Sequence, residues 1–324
     1  MKIKSLLICV AAVCAAGCGN NRKAEQFVAL PFPDAVPPAM MEDQQDRAEY
    51  MALHWWDGIT DPSREYPCDT AMVSGVRRSD VEQKMANWTN VLNMVDISHA
   101  RKSVGRLYDR ALACEKKDTA SNVFETFTDL VEKYLYDPNS PMRNEDHYAA
   151  YAERLAGCEF VEKVMQEKYA REARLAALNR VGTKAADFRF TDKRGRTHTL
   201  YGIEADLILL FFSNPGCTAC KDIIDVLNGD PGISGLIASG TMKVLNIYID
   251  EDLESWRSYM PIYPETWYNG FDPDLVIRGE TLYNVRAIPS LYLLDRDKRV
   301  IMKDAPEARL FDWLSGVTQM VAAQ

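Results

Sequence analysis

Several residue patterns that would announce a common chemistry are missing from this sequence. Its four histidines, His54, His99, His147 and His198, are scattered and form no HExxH or comparable metal-ligand spacing. Cys217 and Cys220 form one close cysteine pair with no second pair to match, so a structural zinc site lacks its four donors. No block of Lys or Arg interrupts a formal charge of −9, which argues against nucleic acid as a partner. After residue 17 no apolar run reaches the roughly 18 residues that a membrane helix needs. What is present is ample material for burial. With 47% hydrophobic and 26% charged residues, the 324 positions have room for about two folded domains and little cause for wholesale disorder.

The first residues, MKIKSLLICVAAVCAAGC, combine Lys2 and Lys4, an apolar stretch from Leu6 to Val13, and small residues at Ala15, Ala16 and Gly17. That layout predicts a secretory signal over residues 1–17. Ala-Ala-Gly-Cys resembles a bacterial lipobox, although Ala15 stands where Leu is more usual. The resemblance implies acylation of Cys18 and a lipid anchor, with each buried methylene contributing about 0.8 kcal/mol. The body would then be exported and held at the cell envelope, facing the periplasm. A plain cleaved signal with an incidental cysteine is the competing interpretation. Loss of Lys2 and Lys4 with the signal takes the charge from −9 to −11. Residues 18–39, polar and then proline-rich at Pro31, Pro33, Pro37 and Pro38, are expected to form a tether.

Of the eight cysteines, Cys9 and Cys14 would leave with the signal and Cys18 would carry lipid. Cys68, Cys114 and Cys158 are dispersed and cannot all pair with one another, so they are poor grounds for a disulfide scaffold. A Cys114–Cys158 bridge and simple burial as small apolar residues both remain open.

Residues 40–180 read as a helical domain of five or six helices. DVEQKMANWTNVLNMV places Val81, Met85, Trp88, Val91, Leu92 and Val95 on one face, and SNVFETFTDLVEKYLYD does the same with Val123, Phe127, Leu130, Val131 and Tyr134. YDPNSP, residues 136–141, breaks the pattern with a turn. The paired tryptophans of LHWWDG, residues 53–58, could line a groove, but large aromatics on a helical face are more often core.

From residue 181 the period changes. ADFRF and RTHTL alternate about a turn at Asp192 to Gly195, as a hairpin would. DLILLFFS and KVLNIYID are continuous apolar runs of the kind found in central strands covered on both faces. CKDIIDVLN is helical, with Ile223, Ile224 and Leu227 as its buried stripe. LESWRSYM is helical, SLYLLD and RVIMK form a second hairpin, and PEARLFDWLSGVTQMV closes as a helix. This order predicts an α/β domain around one mixed sheet.

Cys217 therefore falls where a central strand ends and a helix begins. Free N–H groups and the helix dipole stabilise a thiolate there, lowering the thiol pKa. Two intervening residues let Cys220 reach back to resolve a mixed disulfide. Together with Pro289 ahead of SLYLLD, this layout resembles the thioredoxin superfamily, in which a cis-proline loop lies beside the thiols. GTKAADFRFTDKRGRTHTL, DLILLFFSNPGCTAC and AIPSLYLLD resemble the extracytoplasmic branch that includes TlpA and ResA. LHWWD and EKYLYDPNSPMRNE, followed by such a domain, resemble a helical domain of unknown function found in bacterial lipoproteins.

The resemblance implies a thioredoxin-like domain over 181–324 behind an all-α domain over 40–180. It implies Cys217 as nucleophile, Cys220 as resolving thiol and Pro289 as cis-proline, with Gly216, Thr218, Ala219 and Ile288 at the substrate. The implied activity is thiol–disulfide exchange on protein thiols, as reductase or isomerase, with an unidentified electron-transfer partner, no cofactor and no metal. The chain departs from the family in having Gly216 where Trp is usual, and Phe211 and Ile223 where buried acids often stand. A carboxylate there normally moves the resolving thiol's proton. Asp222 should point elsewhere on the helix. Two other readings compete: a thiol peroxidase, whose Thr three residues before the reactive Cys is replaced here by Cys217, and a lipid-anchored protein whose helical domain binds a partner or glycan beside a vestigial redox domain.

Overall fold

Two sequence periodicities become two regions of the fold. The computed structural model describes residues 28–66 and 71–322, so the signal, Cys18 and Cys68 lie outside the described residues. The first region holds helices α1 (Gln44–His54), α2 (Arg78–Leu92), α3 (Ile97–Lys117), α4 (Val123–Val131), α5 (Glu145–Leu155) and α6 (Lys163–Ala176). A two-strand hairpin, β1 (Met72–Val73) and β2 (Val76–Arg77), interrupts this otherwise helical region. Side-chain oxygens close the starts of α1 and α3: Asp43 accepts from the Asp46 N–H at 2.9 Å, and Asp96 from the Ser98 N–H at 2.7 Å. The expected stripes are buried at Val81, Met85, Trp88, Leu92, Val123, Phe127, Leu130 and Val131, while Val91, Val95 and Tyr134 are half-buried.

The two tryptophans divide their duties. Trp56 is buried and meets Trp88 and Phe127 edge to face at 5.7 and 4.8 Å, whereas Trp55 is only partly covered. Asp57 beside them takes a two-point grip from Arg106, at 3.0 and 2.7 Å. Part of the expected tether also packs here. The Leu30 N–H donates to the Gly75 carbonyl at 2.8 Å, and Phe32 sits edge-on to Trp56. A Cβ on Gly58 would lie 2.7 Å from Pro33, which explains a glycine at that contact. Cys114 and Cys158 are both free and buried, so the bridge left open by the sequence is not formed.

The second region is a seven-stranded sheet in the order β4-β3-β7-β6-β5-β8-β9. Its strands are β3 (Arg189–Asp192), β4 (Thr197–Thr199), β5 (Leu207–Phe212), β6 (Met242–Tyr248), β7 (Tyr268–Phe271), β8 (Ser290–Asp295) and β9 (Val300–Met302). β5 runs parallel to β6 and antiparallel to β8. Along β5 the faces alternate: Leu209 and Phe211 join a core under α7 (Thr218–Gly229), α8 (Pro231–Ala238), α9 (Leu253–Tyr259) and α11 (Glu307–Ala322). Ile208, Leu210 and Phe212 join the opposite core with Phe188, Phe190, Tyr283 and Ile277 of the short α10 (Val276–Gly279). This is the thioredoxin-like α/β arrangement, with a mainly helical region before it.

The β1–β2 hairpin and the short α10 were not foreseen, and neither were two other elements of the α/β region, β7 and α8. β7 is read in YNGF, where Asn-Gly signals a turn; a Cβ on Gly270 would stand 2.6 Å from the Phe190 ring, so the glycine is what lets β3 lie alongside. α8 starts with Pro231 in its first turn, after Asp230 caps it through the Ile233 N–H at 2.8 Å.

Candidate active site

β5 delivers the chain into the loop Ser213–Gly216, and Cys217 is the N-cap residue of α7. Gly216 takes φ +73°, a left-handed conformation that glycine adopts without steric cost. Cys217 and Cys220 are joined as a disulfide with Cα atoms 5.2 Å apart. The Cys220 N–H donates to Cys217 Sγ at 3.1 Å, so one of the free N–H groups opening the helix points at this sulfur. Cys217 is half-buried and Cys220 is 1% exposed. Gly216, Thr218 and Ala219 are exposed around them.

The Ile288–Pro289 bond is cis. Register brings this segment to the cysteines, because Phe212 at the end of β5 pairs with Ser290 at the start of β8. The chain leaving β5 for Cys217 thus passes the chain arriving at β8 through Ile288 and Pro289. Among the described residues, no backbone N–H or carbonyl from Tyr283 to Pro289 makes a backbone hydrogen bond.

No carboxylate stands at the two positions where relatives of this fold often carry one. Phe211 and Ile223 are buried hydrocarbon, and Asp222 is exposed. A neutral polar chain lies at the end of β5 instead. The buried Ser213 hydroxyl donates to Asn246 Oδ1 at 2.5 Å and lies 3.2 Å from the Tyr263 hydroxyl; Asn246 donates to Asn269 at 3.1 Å. Burial pushes the Tyr263 phenol up, so it is neutral and able to donate or accept.

Buried charges do occur nearby, at the junction with the helical region. Glu145, the first residue of α5, lies between Arg286 at 2.6 Å and Lys303 at 2.8 Å. Both cations approach without hydrogen-bond alignment; the aligned donor is Asn284, at 2.6 Å. Burial raises the Glu145 pKa against the opposing pull of Lys303 and Arg286. Asp304 accepts from Arg286 at 3.0 Å and from the Ser290 hydroxyl at 2.8 Å, and Arg143 donates to the Asp304 and Ala305 carbonyls, each at 3.1 Å. From the sequence none of these residues received a role; Arg143 and Glu145 entered only within the stretch EKYLYDPNSPMRNE. Elsewhere, Glu49, Asp96 and His99 bring their ligand atoms within 4.8 Å of one another on the surface, an arrangement their ion pairing explains. No helix among the described residues is long and apolar enough to cross a membrane.

A family model described as Domain of unknown function (DUF5106) matches residues 16–179. A comparison with curated proteins gave no match. Among solved structures, a thioredoxin-like protein from Bacteroides caccae ATCC 43185 is 36% identical, with a TM-score of 0.75, and the match covers 89% of this chain and 99% of that one. The C-terminal domain of an uncharacterized protein from Bacteroides fragilis NCTC 9343 is 44% identical over 42% of this chain and 98% of its own, with a TM-score of 0.41. A domain of a possible thiol-disulfide isomerase from Cytophaga hutchinsonii ATCC 33406 is 24% identical over 46% of this chain and 99% of its own, with a TM-score of 0.38. The first of these spans both regions of the fold. A thioredoxin-like fold with a Cys-x-x-Cys pair supports thiol–disulfide redox chemistry in general terms.

Proposed function

The chain belongs to the family described as Domain of unknown function (DUF5106) and is related along most of its length to a thioredoxin-like protein, and from that premise we propose that it is an extracytoplasmic thiol–disulfide oxidoreductase. One observation carries the reading: the Cys217–Cys220 pair caps α7, with the Cys220 N–H directed at Cys217 Sγ. In the reduced protein that N–H and the helix N-terminus favour a Cys217 thiolate. The thiolate attacks one sulfur of a substrate disulfide; a Cys217–substrate bond forms, the substrate S–S bond breaks, and the departing thiolate takes a proton from water. Cys220 then gives up its proton and attacks Cys217 Sγ, releasing the second substrate thiol and closing the Cys217–Cys220 disulfide. Two electrons have moved to the substrate, and an external dithiol protein restores them. The exposed Gly216, Thr218 and Ala219 and the unbonded backbone at Ile288, beside Pro289, supply the surface for an extended substrate.

The TlpA/ResA-like motifs favour a reductase or isomerase over a strong oxidant. The lipobox-like start favours export, with Cys18 as lipid site and the body at the cell envelope. Equilibration of the purified protein in glutathione or dithiothreitol buffers, with alkylation as readout, tests the redox reading. A reversible two-electron transition, abolished in Cys217→Ser, is expected, and its potential sets the direction. A pair that resists reduction or never closes again refutes the reading and turns attention to the helical region as a binding module.

A further inference from the structure

Among the described residues, the segment from Tyr283 to Pro289 makes no backbone–backbone hydrogen bond, and its side chains hold it in place. Tyr283 is tied within the α/β region, its hydroxyl donating to the Ala186 carbonyl at 2.6 Å. The next anchors reach into the helical region. Asn284 donates to Glu145 at 2.6 Å, and Arg286 lies against Glu145. Arg286 also donates to the Tyr136 carbonyl, and its guanidinium stacks 4.2 Å above the Tyr136 ring.

That carbonyl is available for a reason. Residues Glu132–Tyr136 form a π-helical turn that continues α4, and Asp137 closes it by donating to Glu132 at 2.9 Å. A helix end leaves its last carbonyls without partners, and Arg286 takes one of them. The stretch EKYLYDPNSPMRNE therefore supplies Tyr136, Arg143 and Glu145 to one junction. On the far side Asp304 joins Arg286 to Ser290, the residue after Pro289.

We infer that the helical region is a clamp on the segment Asn284–Ser290, and that Glu145 is a positioning residue for the redox site. Burial of Glu145 works against its two cations while Glu145 and Asp304 hold the Arg286 guanidinium charged, and the contacts from Glu145 to Asn284 and from Asp304 to Ser290 fix both ends of the segment. The inference rests on the redox reading, since it concerns how an extended disulfide substrate is received beside Cys217.

The test uses the full chain, reduced, in stopped flow with two disulfides. One is a fluorophore- and quencher-labelled peptide containing a disulfide, long enough to reach from Cys217 to the backbone at Ile288. The other is hydroxyethyl disulfide, which needs only the thiolate. Glu145→Gln and Asn284→Ala are each expected to lower the ratio of the peptide rate constant to the small-disulfide rate constant by about tenfold, the scale on which misplaced binding groups act. A ratio unchanged from wild type in a variant that is folded overturns the clamp, because loss of folded protein alone lowers both rates together. If Glu145→Gln does not fold, Asn284→Ala decides alone. A wild-type protein that reacts with neither disulfide refutes the redox reading instead.

Discussion

His147 offers a prediction whose size follows from the structure. It sits in the first turns of α5, 3% exposed, and burial depresses its pKa to about 3, with the Arg309 and Arg101 charges adding to the effect. In the unfolded chain the same imidazole titrates near its usual value of about 6.5. Between those values the unfolded state binds a proton that the native state refuses. The stability that depends on neutral His147 is therefore complete above about pH 6.5 and is lost as pH falls toward the native value. At 1.36 kcal/mol per unit, the drop from pH 7 to pH 5 amounts to about 2 kcal/mol. Urea unfolding of the wild type and of His147→Gln at both pH values isolates this group, because the other titrating residues are common to both proteins. The wild type should lose about 2 kcal/mol more than the variant over that interval. A difference below about 0.5 kcal/mol, within the error of such extrapolations, or one of opposite sign, refutes the assignment of a buried neutral imidazole.

Three further perturbations test other parts of the argument. Gly216→Ala meets no neighbouring atom but must hold φ +73°, so a loss of about 1–2 kcal/mol in urea unfolding is expected, with no clash to relieve. Trp56→Ala removes a buried ring from the aromatic contacts with Phe32, Trp88 and Phe127 and should cost about 3–5 kcal/mol, measured as a shifted denaturation midpoint; a loss under about 1 kcal/mol would contradict its place in the core. Cys220→Ser should accumulate dithiothreitol-releasable disulfide conjugates through Cys217, seen on non-reducing gels, whereas Cys217→Ser should not; trapping by Cys217→Ser alone would reverse the proposed roles, and equal trapping by both would refute the division between them.

The parts of this fold that could be read in advance are those where one residue's surroundings are set by its near neighbours. Leu207–Phe212 and Met242–Tyr248 are apolar throughout because both faces of a central strand are covered, and that needs no knowledge of the partner strands. Cys217 was legible for the same reason, since strand, turn and helix follow one another within a few residues. β7 was not, because its Asn and Gly serve contacts with distant strands: Asn269 completes the polar chain from Ser213, and Gly270 makes room for Phe190. The Glu145 cluster was hidden more deeply. Glu145 and Arg286 are 141 positions apart in sequence, and each taken alone reads as a solvated surface charge.

α5 shows why the two regions are not independent of one another. Its residues from Glu145 to Ala152 are all buried, which an amphipathic surface helix would not be. Tyr148, Tyr151 and Leu155 belong to the core of the helical region, while Glu145 meets Asn284, Arg286 and Lys303 of the α/β region. Asp146 binds across the connection as well, pairing with Arg101 at 2.5 Å and accepting from the Val181 N–H at 3.1 Å. One helix thus packs the first region with its aromatic face and holds the second with its charged end. A shift of α5 would be felt first at Asn284 and Arg286, then through Ser290 at its pairing with Phe212, and so at the loop that carries Cys217. The reverse path is equally direct: any rearrangement of that loop on closing or opening the disulfide would reach the helical region through the same few buried contacts.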